Sequence, residues 1–243
     1  MKALLTAEQK SQYRESGFVV VKELFDKETT KRMIEHYMRV RAEGPKPGDF
    51  GGTPDDPDDP NHKYPLLLNM HNWDDLTQEW ARNEDLLEVV SQLIGDKPVL
   101  RQTMFYFKPP GGRGSGFHQD QQYITVDPLI GAWVALDESD RIVGQMNVMP
   151  GSHKHGLQPV ELADSSISFT KTKSVIPHGL EEFGVDMKPG DGLFFDGKLI
   201  HGAYPNKTVE RWRRSFICHF IGEGSKEFEP EQGKNASHLD ESA

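Results

Sequence analysis

The sequence predicts a mainly β protein with α-helices: an antiparallel sandwich or jelly roll carrying helices on one face. Three observations lead there. The N-terminal third has helical apolar spacing bounded by caps and stops. From about residue 96 the texture changes to short β-rich runs separated by Gly, Pro and Asp turns. The 23 glycines and 16 prolines in 243 residues supply more turns than a helical bundle uses. Many short strands after a helical prelude bury their apolar faces as two antiparallel sheets under a helical layer. No internal repeat or second core stands out. One domain is expected over 1–243, with a helical prelude and lid loop at 1–95, a jelly-roll core at 96–221 and a polar tail at 222–243.

Local chemistry justifies each element. Thr6 and Gln9 form a capping-box pattern, and Gly17 stops the first helix. Phe18 to Val21 is a short apolar stretch. Asp26 N-caps a second helix in which Met33, Ile34, Tyr37 and Met38 follow helical spacing, and Gly44-Pro45 ends it. Residues 44–65 hold too much Pro and Gly for a helix or a central strand, and read as a lid or a disordered loop. Asp55, Asp56, Asp58 and Asp59 in that loop lack the Gly and Glu of a calcium-binding loop, so they read as solvated. One helix is expected over 75–94, with Gly95 as its stop. Strands are expected at 99–107, 131–136, 145–148, 192–195 and 213–221.

Charge and cysteine usage exclude several classes. Lys and Arg total 28 against 38 Asp and Glu, a net charge of −10. So acidic a chain is poorly suited to neutralising phosphates, and no nucleic-acid partner is expected. Cys218 is the single cysteine, which excludes an intrachain disulfide and fits a reducing cytoplasm. No apolar run approaches the roughly 18 residues of a membrane helix. Lys2, Glu8, Lys10, Arg14 and Glu15 leave no apolar core for a signal peptide, so no membrane partner is expected.

Among ten histidines, one triplet stands out: His118-Gln119-Asp120, delivered after a strand by the Gly/Pro-rich segment 109–116. In an extended chain, residues two apart point to one side, so an imidazole and a carboxylate converge while Gln119 points away. Alone, such a triplet is weak. His201 follows a second turn-and-strand, Pro189-Gly190-Asp191-Gly192 and onward. Two histidines and one carboxylate make the facial triad of non-haem Fe(II) oxygenases. Downstream, strand alternation puts Arg211, Arg213, Ser215, Ile217 and His219 on one face and Trp212, Arg214, Phe216, Cys218 and Phe220 on the other. The aromatic face suits the helical layer. The polar face suits a ligand-filled interior, where an arginine holds a carboxylate through two parallel hydrogen bonds. Cys218, on the apolar face, reads as an inert buried thiol.

These residues carry a family resemblance over about 104–220. Met104, Lys108-Pro109-Pro110, His118-Gln119-Asp120 and Ala132-Trp133 are followed by Gly144 and Pro150-Gly151-Ser152-His153-Lys154. His201-Gly202, Asn206-Lys207-Thr208, Arg213 and Cys218-His219-Phe220 close the pattern. In this order they resemble the phytanoyl-CoA dioxygenase (PhyH) family of Fe(II)/2-oxoglutarate oxygenases. The resemblance implies a double-stranded β-helix (cupin-like jelly roll). It implies His118, Asp120 and His201 as iron ligands, and Arg213 as the anchor for the distal carboxylate of 2-oxoglutarate. Met104 and Trp133 would line the cosubstrate pocket. The cofactors would be Fe(II), 2-oxoglutarate and O₂, and the reaction a hydroxylation of a small molecule with release of succinate and CO₂. Related halogenases have Gly or Ala in place of the triad carboxylate, so Asp120 argues against halogenation. Two positions depart from the pattern. Ala203 stands where relatives often carry a hydroxyl that helps hold 2-oxoglutarate. The segment 66–71 does not align cleanly, leaving Asn69 or His71 as candidates near the cosubstrate. The alternatives are a non-catalytic protein on the same scaffold and a zinc protein, since zinc accepts two His, one Asp and a water.

Overall fold

The computed structural model describes residues 5–51 and 58–228. Helix α1 (Ala7–Ser16) has the predicted reciprocal cap between Thr6 and Gln9, and Gly17 ends it at φ +83°. A side chain at Gly17 would be strained by that φ and would also strike the His153 ring, so only glycine fits. Strand β1 (Phe18–Val21) leads to α2 (Lys27–Ala42), capped by Asp26. Met33 and Tyr37 of α2 are fully buried.

The described parts of the segment 44–65 hold more secondary structure than its composition suggests. They contain a two-residue strand, β2 (Asp49–Phe50), and a one-turn helix, α3 (Pro60–Lys63). Proline at the first helical position costs no hydrogen bond, because that N–H has no partner anyway. The reading of Asp59 as solvated fails: it is buried, caps Asn61 and meets the Arg113 guanidinium at 2.6 Å. Asp55 and Asp56 lie outside the described residues. Strand β3 (Leu66–Leu68) follows. The single helix expected over 75–94 is two, α4 (Asp75–Ala81) and α5 (Glu84–Ile94). Asn83 breaks it by accepting the Leu86 N–H at 3.0 Å, a new N-cap inside an otherwise continuous apolar spacing.

The remaining strands are β4 (Pro98–Tyr106), β5 (Ser115–His118), β6 (Val126–Ala135), β7 (Met146–Val148), β8 (Val160–Leu162), β9 (Thr172–Ser174), β10 (Phe183–Val185), β11 (Gly192–Asp196), β12 (His201–Ala203) and β13 (Ser215–Glu227). They form a seven-stranded sheet, β1-β11-β6-β13-β4-β3-β2, facing a four-stranded sheet, β10-β7-β12-β5, with β8-β9 as a separate ribbon. Every pairing within these sheets is antiparallel. The expected mainly-β architecture with helices on one face is therefore what forms. The last strand outruns its expected end at residue 221: it bulges and resumes pairing at Lys226 and Glu227. The start of the polar tail is thus strand, and residues 229–243 lie outside the described set.

The two faces of β13 divide the core as alternation requires. Phe216, Cys218 and Phe220 pack with Tyr37, Leu86 and Phe105 under the helices. Ile217 packs between the sheets with Trp133, Val148, Leu193 and Phe195. No described helix is long and apolar enough to cross a membrane. The edge strand β1 is locked at its end by Asp191, which is 2% exposed. Its carboxylate accepts from Glu23 N (3.1 Å), Lys188 N (3.0 Å) and Lys22 Nζ (2.8 Å). Asp191→Ala leaves the Glu23 and Lys188 N–H groups and the Lys22 ammonium without their buried acceptor and is expected to cost about 3 kcal/mol. Thermal unfolding should then fall by about 6–12 °C; an unchanged midpoint would remove Asp191 from this role.

Candidate metal centre

The site begins as a strand pairing. In the smaller sheet, β5 runs antiparallel to β12 with His118 directly opposite His201. The ribbon segment holds β5 in place, since Gly116 N donates to Ser168 Oγ at 2.8 Å and to Thr170 Oγ1 at 2.9 Å. Each histidine then bonds the carbonyl two residues before it: His118 Nδ1 to Gly116 O at 2.8 Å, and His201 Nδ1 to Leu199 O at 3.0 Å. A carbonyl only accepts, so both Nδ1 atoms carry the hydrogen and both Nε2 lone pairs stay free. Both Nε2 atoms face one carboxylate oxygen, Asp120 Oδ1, at 3.5 and 3.6 Å.

The three donor atoms lie within 4.8 Å of one another, and this is the one such His/Cys/Asp/Glu cluster among the described residues. Burial drives the His201 imidazole down to about 4, which keeps it neutral, as a metal ligand must be. Burial alone would raise Asp120, but His219, His201 and His118 outweigh it and hold the carboxyl well below its usual range. Two neutral-capable imidazoles and an ionised carboxylate with aligned free electron pairs fit a divalent metal of the Fe(II) type.

His219 supports this centre; the sequence placed it in the family pattern and on the Arg213 face but assigned it no role. Its Nε2 donates to the other oxygen, Asp120 Oδ2, at 2.7 Å. Oδ2 is thereby occupied and Oδ1 is left for the metal. The available signal was a histidine on the Arg213 face of an otherwise apolar strand. Gln119, by contrast, turns away as expected. Its amide donates to Gly156 O and Lys198 O and accepts from Gln158 N, stapling three loops.

A small chamber adjoins the triad, lined by Met104, Trp133, Ala203 and Arg213 among others. Arg213 is 3% exposed, and its guanidinium lies 5.3 Å over the Trp133 ring. Its contacts are poor: Nη1 reaches Ser215 Oγ at 3.4 Å, and the buried Nε has no hydrogen-bond partner among the described residues. Burial pushes it down to about 10. The neighbouring arginines are spent, Arg211 on Asp140 at 2.7 Å and Arg214 on Asp137 through two bonds. Lys108 holds Arg213 in position. Its buried amine donates to Gly144 O and Tyr204 O, and its carbonyl accepts from Arg213 N at 3.1 Å. Burial pushes that amine well below the ordinary lysine range, with the Arg213 charge adding to the effect. Neither Asn69 nor His71 lines this chamber. The His71 ring bonds Thr103, on the opposite face of β4 from Met104.

Residues 13–215 match the family model Phytanoyl-CoA dioxygenase (PhyH). The chain belongs to the phytanoyl-CoA dioxygenase family. It is similar to the peroxisomal phytanoyl-CoA dioxygenase of Bos taurus, 27% identical over 236 residues, covering 89% of this chain and 68% of that one. A probable alpha-ketoglutarate-dependent hypophosphite dioxygenase of Stutzerimonas stutzeri is 26% identical over 230 residues, covering 85% and 76%. Among solved structures, EvdO2 of Micromonospora carbonacea complexed with 2-oxoglutarate superposes with a TM-score of 0.72 at 18% identity, covering 95% and 96%. Iron-bound EctD of S. alaskensis gives 0.73 at 19%, covering 94% and 81%. This member of the PhyH family is an Fe(II)- and 2-oxoglutarate-dependent dioxygenase, an oxidoreductase that also uses O₂.

Each of His118→Ala, Asp120→Ala and His201→Ala should weaken Fe(II) binding in anaerobic equilibrium dialysis by more than about a hundredfold. His219→Leu should lose about ten- to hundredfold, the usual cost of an outer hydrogen bond to a ligand. His219→Gln, which keeps a donor near Oδ2, should recover most of that loss. Near-wild-type affinity in any triad variant would remove that residue from the ligand set.

Proposed function

We propose that His118, Asp120 and His201 hold the iron, that Arg213 binds the distal carboxylate of 2-oxoglutarate, and that the protein hydroxylates a small molecule. Bound at the triad, Fe(II) supplies the redox chemistry in which O₂ and 2-oxoglutarate become succinate and CO₂ while the substrate C–H becomes C–OH. The observation that carries the reading is Arg213. A guanidinium removed from water without a partner is costly, and a carboxylate that enters the chamber offsets that cost. A zinc site or a non-catalytic scaffold gives no reason for an unspent buried cation beside the triad.

This chain's residues then divide the work. Trp133 stacks under the Arg213 guanidinium and fixes its plane. Met104 and Trp133 wall the cosubstrate chamber. The hydroxyl absent at Ala203 has a substitute. Ser115 lies directly across the strand pair from Ala203 and lines the same chamber, as does Tyr106. Neither hydroxyl has a protein partner among the described residues, so both are available to the carboxylate. His118 and Asp120 also line a larger cavity, which we assign as the route of the substrate. The single cysteine, Cys218, is buried and unpaired, and a reducing cytoplasm is our reading of the compartment.

Replacing Arg213 with Lys keeps the charge but loses the planar fork, and Met removes both. The Michaelis constant for 2-oxoglutarate should rise at least about tenfold for Lys, equivalent to about 1.4 kcal/mol, and further for Met. Ser115→Ala should raise it by roughly fivefold, the worth of one hydrogen bond near 1 kcal/mol. Arg211→Met and Arg214→Met are the controls, because their charges are spent on Asp140 and Asp137. A rise for Arg214→Met without one for Arg213→Met would overturn the assignment.

A further inference from the structure

The larger cavity has a largely apolar wall. Its volume is about 450 Å³, toward the low end of the roughly 300–1,000 Å³ typical of small-molecule sites. Leu66 and Leu68 of β3, Met104 of β4, Ile124 and the rings of Phe50 and Phe169 supply most of the lining. Phe50 is 53% exposed, an aromatic ring left largely unpacked at the mouth. The neutral polar groups of the wall include Gln102, Thr170 and Thr172. The Thr170 hydroxyl is already spent on Gly116 N, and the Gln102 amide and Thr172 hydroxyl have no protein partner among the described residues.

Charge is scarce there. Among the described residues, and apart from the metal centre, Lys171 is the one charged residue in the lining. Cations close by are already paired, Arg113 with Asp59 at 2.6 Å and Lys173 with Glu161 at 3.1 Å. A coenzyme A thioester brings several phosphate groups, which proteins hold with arginine clusters or helix N-termini. The chain's net charge of −10 also opposes the approach of a polyanion. We infer that the substrate is a compact, predominantly apolar molecule without a phosphate-bearing carrier, packed against Phe50, Phe169 and the Leu66–Leu68 wall. The inference rests on the triad and Arg213 reading above, which fixes where the oxidised carbon must lie.

The test uses the anaerobic Fe(II)·2-oxoglutarate holoprotein and three probes with one acyl body: 4-phenylbutyrate, its methyl ester and its coenzyme A thioester. Binding is read from perturbation of the weak visible band that Fe(II) and 2-oxoglutarate give together. If no such band forms before any probe is added, the metal and cosubstrate reading fails, not this one. Once the band is present, the ester or acid should perturb it saturably, and the thioester should bind no tighter than the ester. Leu68→Trp, which fills the cavity, should abolish the response, and Phe169→Ala should weaken it about tenfold while the band itself persists in both. A thioester that binds at least about tenfold tighter than the ester, with affinity falling as salt rises, overturns the inference. So does a band that neither small probe perturbs, or a response indifferent to both variants.

Discussion

The site depends on one antiparallel register, the placement of His118 directly opposite His201 in the β5–β12 pair. A one-residue slip would turn every side chain of β5 to the other face and separate the two imidazoles. The register is held from both sides. Ser168 and Thr170 grip Gly116 just before His118, and Ser152 Oγ accepts from Ile200 N at 2.8 Å just before His201. Each histidine's Nδ1 then bonds the strand backbone, so the same extended geometry that makes the sheet also chooses the tautomer that leaves Nε2 free.

Charge follows a second logic. The buried carboxylate of Asp120 is surrounded by three imidazoles, and the buried guanidinium of Arg213 has no ion-pair partner among the described residues. Both groups open on one chamber between the sheets. Removing charge from water is tolerable only where partners replace the lost hydration. Asp120 has such partners within the fold, whereas those of Arg213 are missing from it. That asymmetry supports the proposal of a dication next to the triad and a dianion reaching from there to Arg213.

The chemistry was more legible in the sequence than the sheet that carries it. His118, Asp120 and His201 could be read because motif order and strand alternation both survive folding. Arg213 could be separated from Arg214 by strand alternation, whereas its distinction from Arg211, on the same face, came from the family resemblance. The strands β5 and β12 are only four and three residues long, too short for a period of two to stand out against the turns around them. His219 escaped because its role is a contact with a residue far away in the chain. The break at Asn83 and the burial of Asp59 escaped for a related reason. Asparagine and aspartate serve caps, turns and solvent equally well, and tertiary neighbours decide which. Ala203 illustrates the reverse. Its missing hydroxyl was visible in the sequence, but the nearby one at Ser115 became visible only with the strand pairing.

The central claim is that one chamber joins a metal held by His118, Asp120 and His201 to a carboxylate held by Arg213. An anaerobic crystal structure with Fe(II) and 2-oxoglutarate tests it most directly. The expected result has the metal on Nε2 of both histidines and on Oδ1 of Asp120, with Oδ2 still bonded to His219. The far carboxylate of 2-oxoglutarate should meet both edges of the Arg213 fork within reach of Ser115. A metal at the triad with the carboxylate bound elsewhere, and Arg213 still without an anion, would contradict the account.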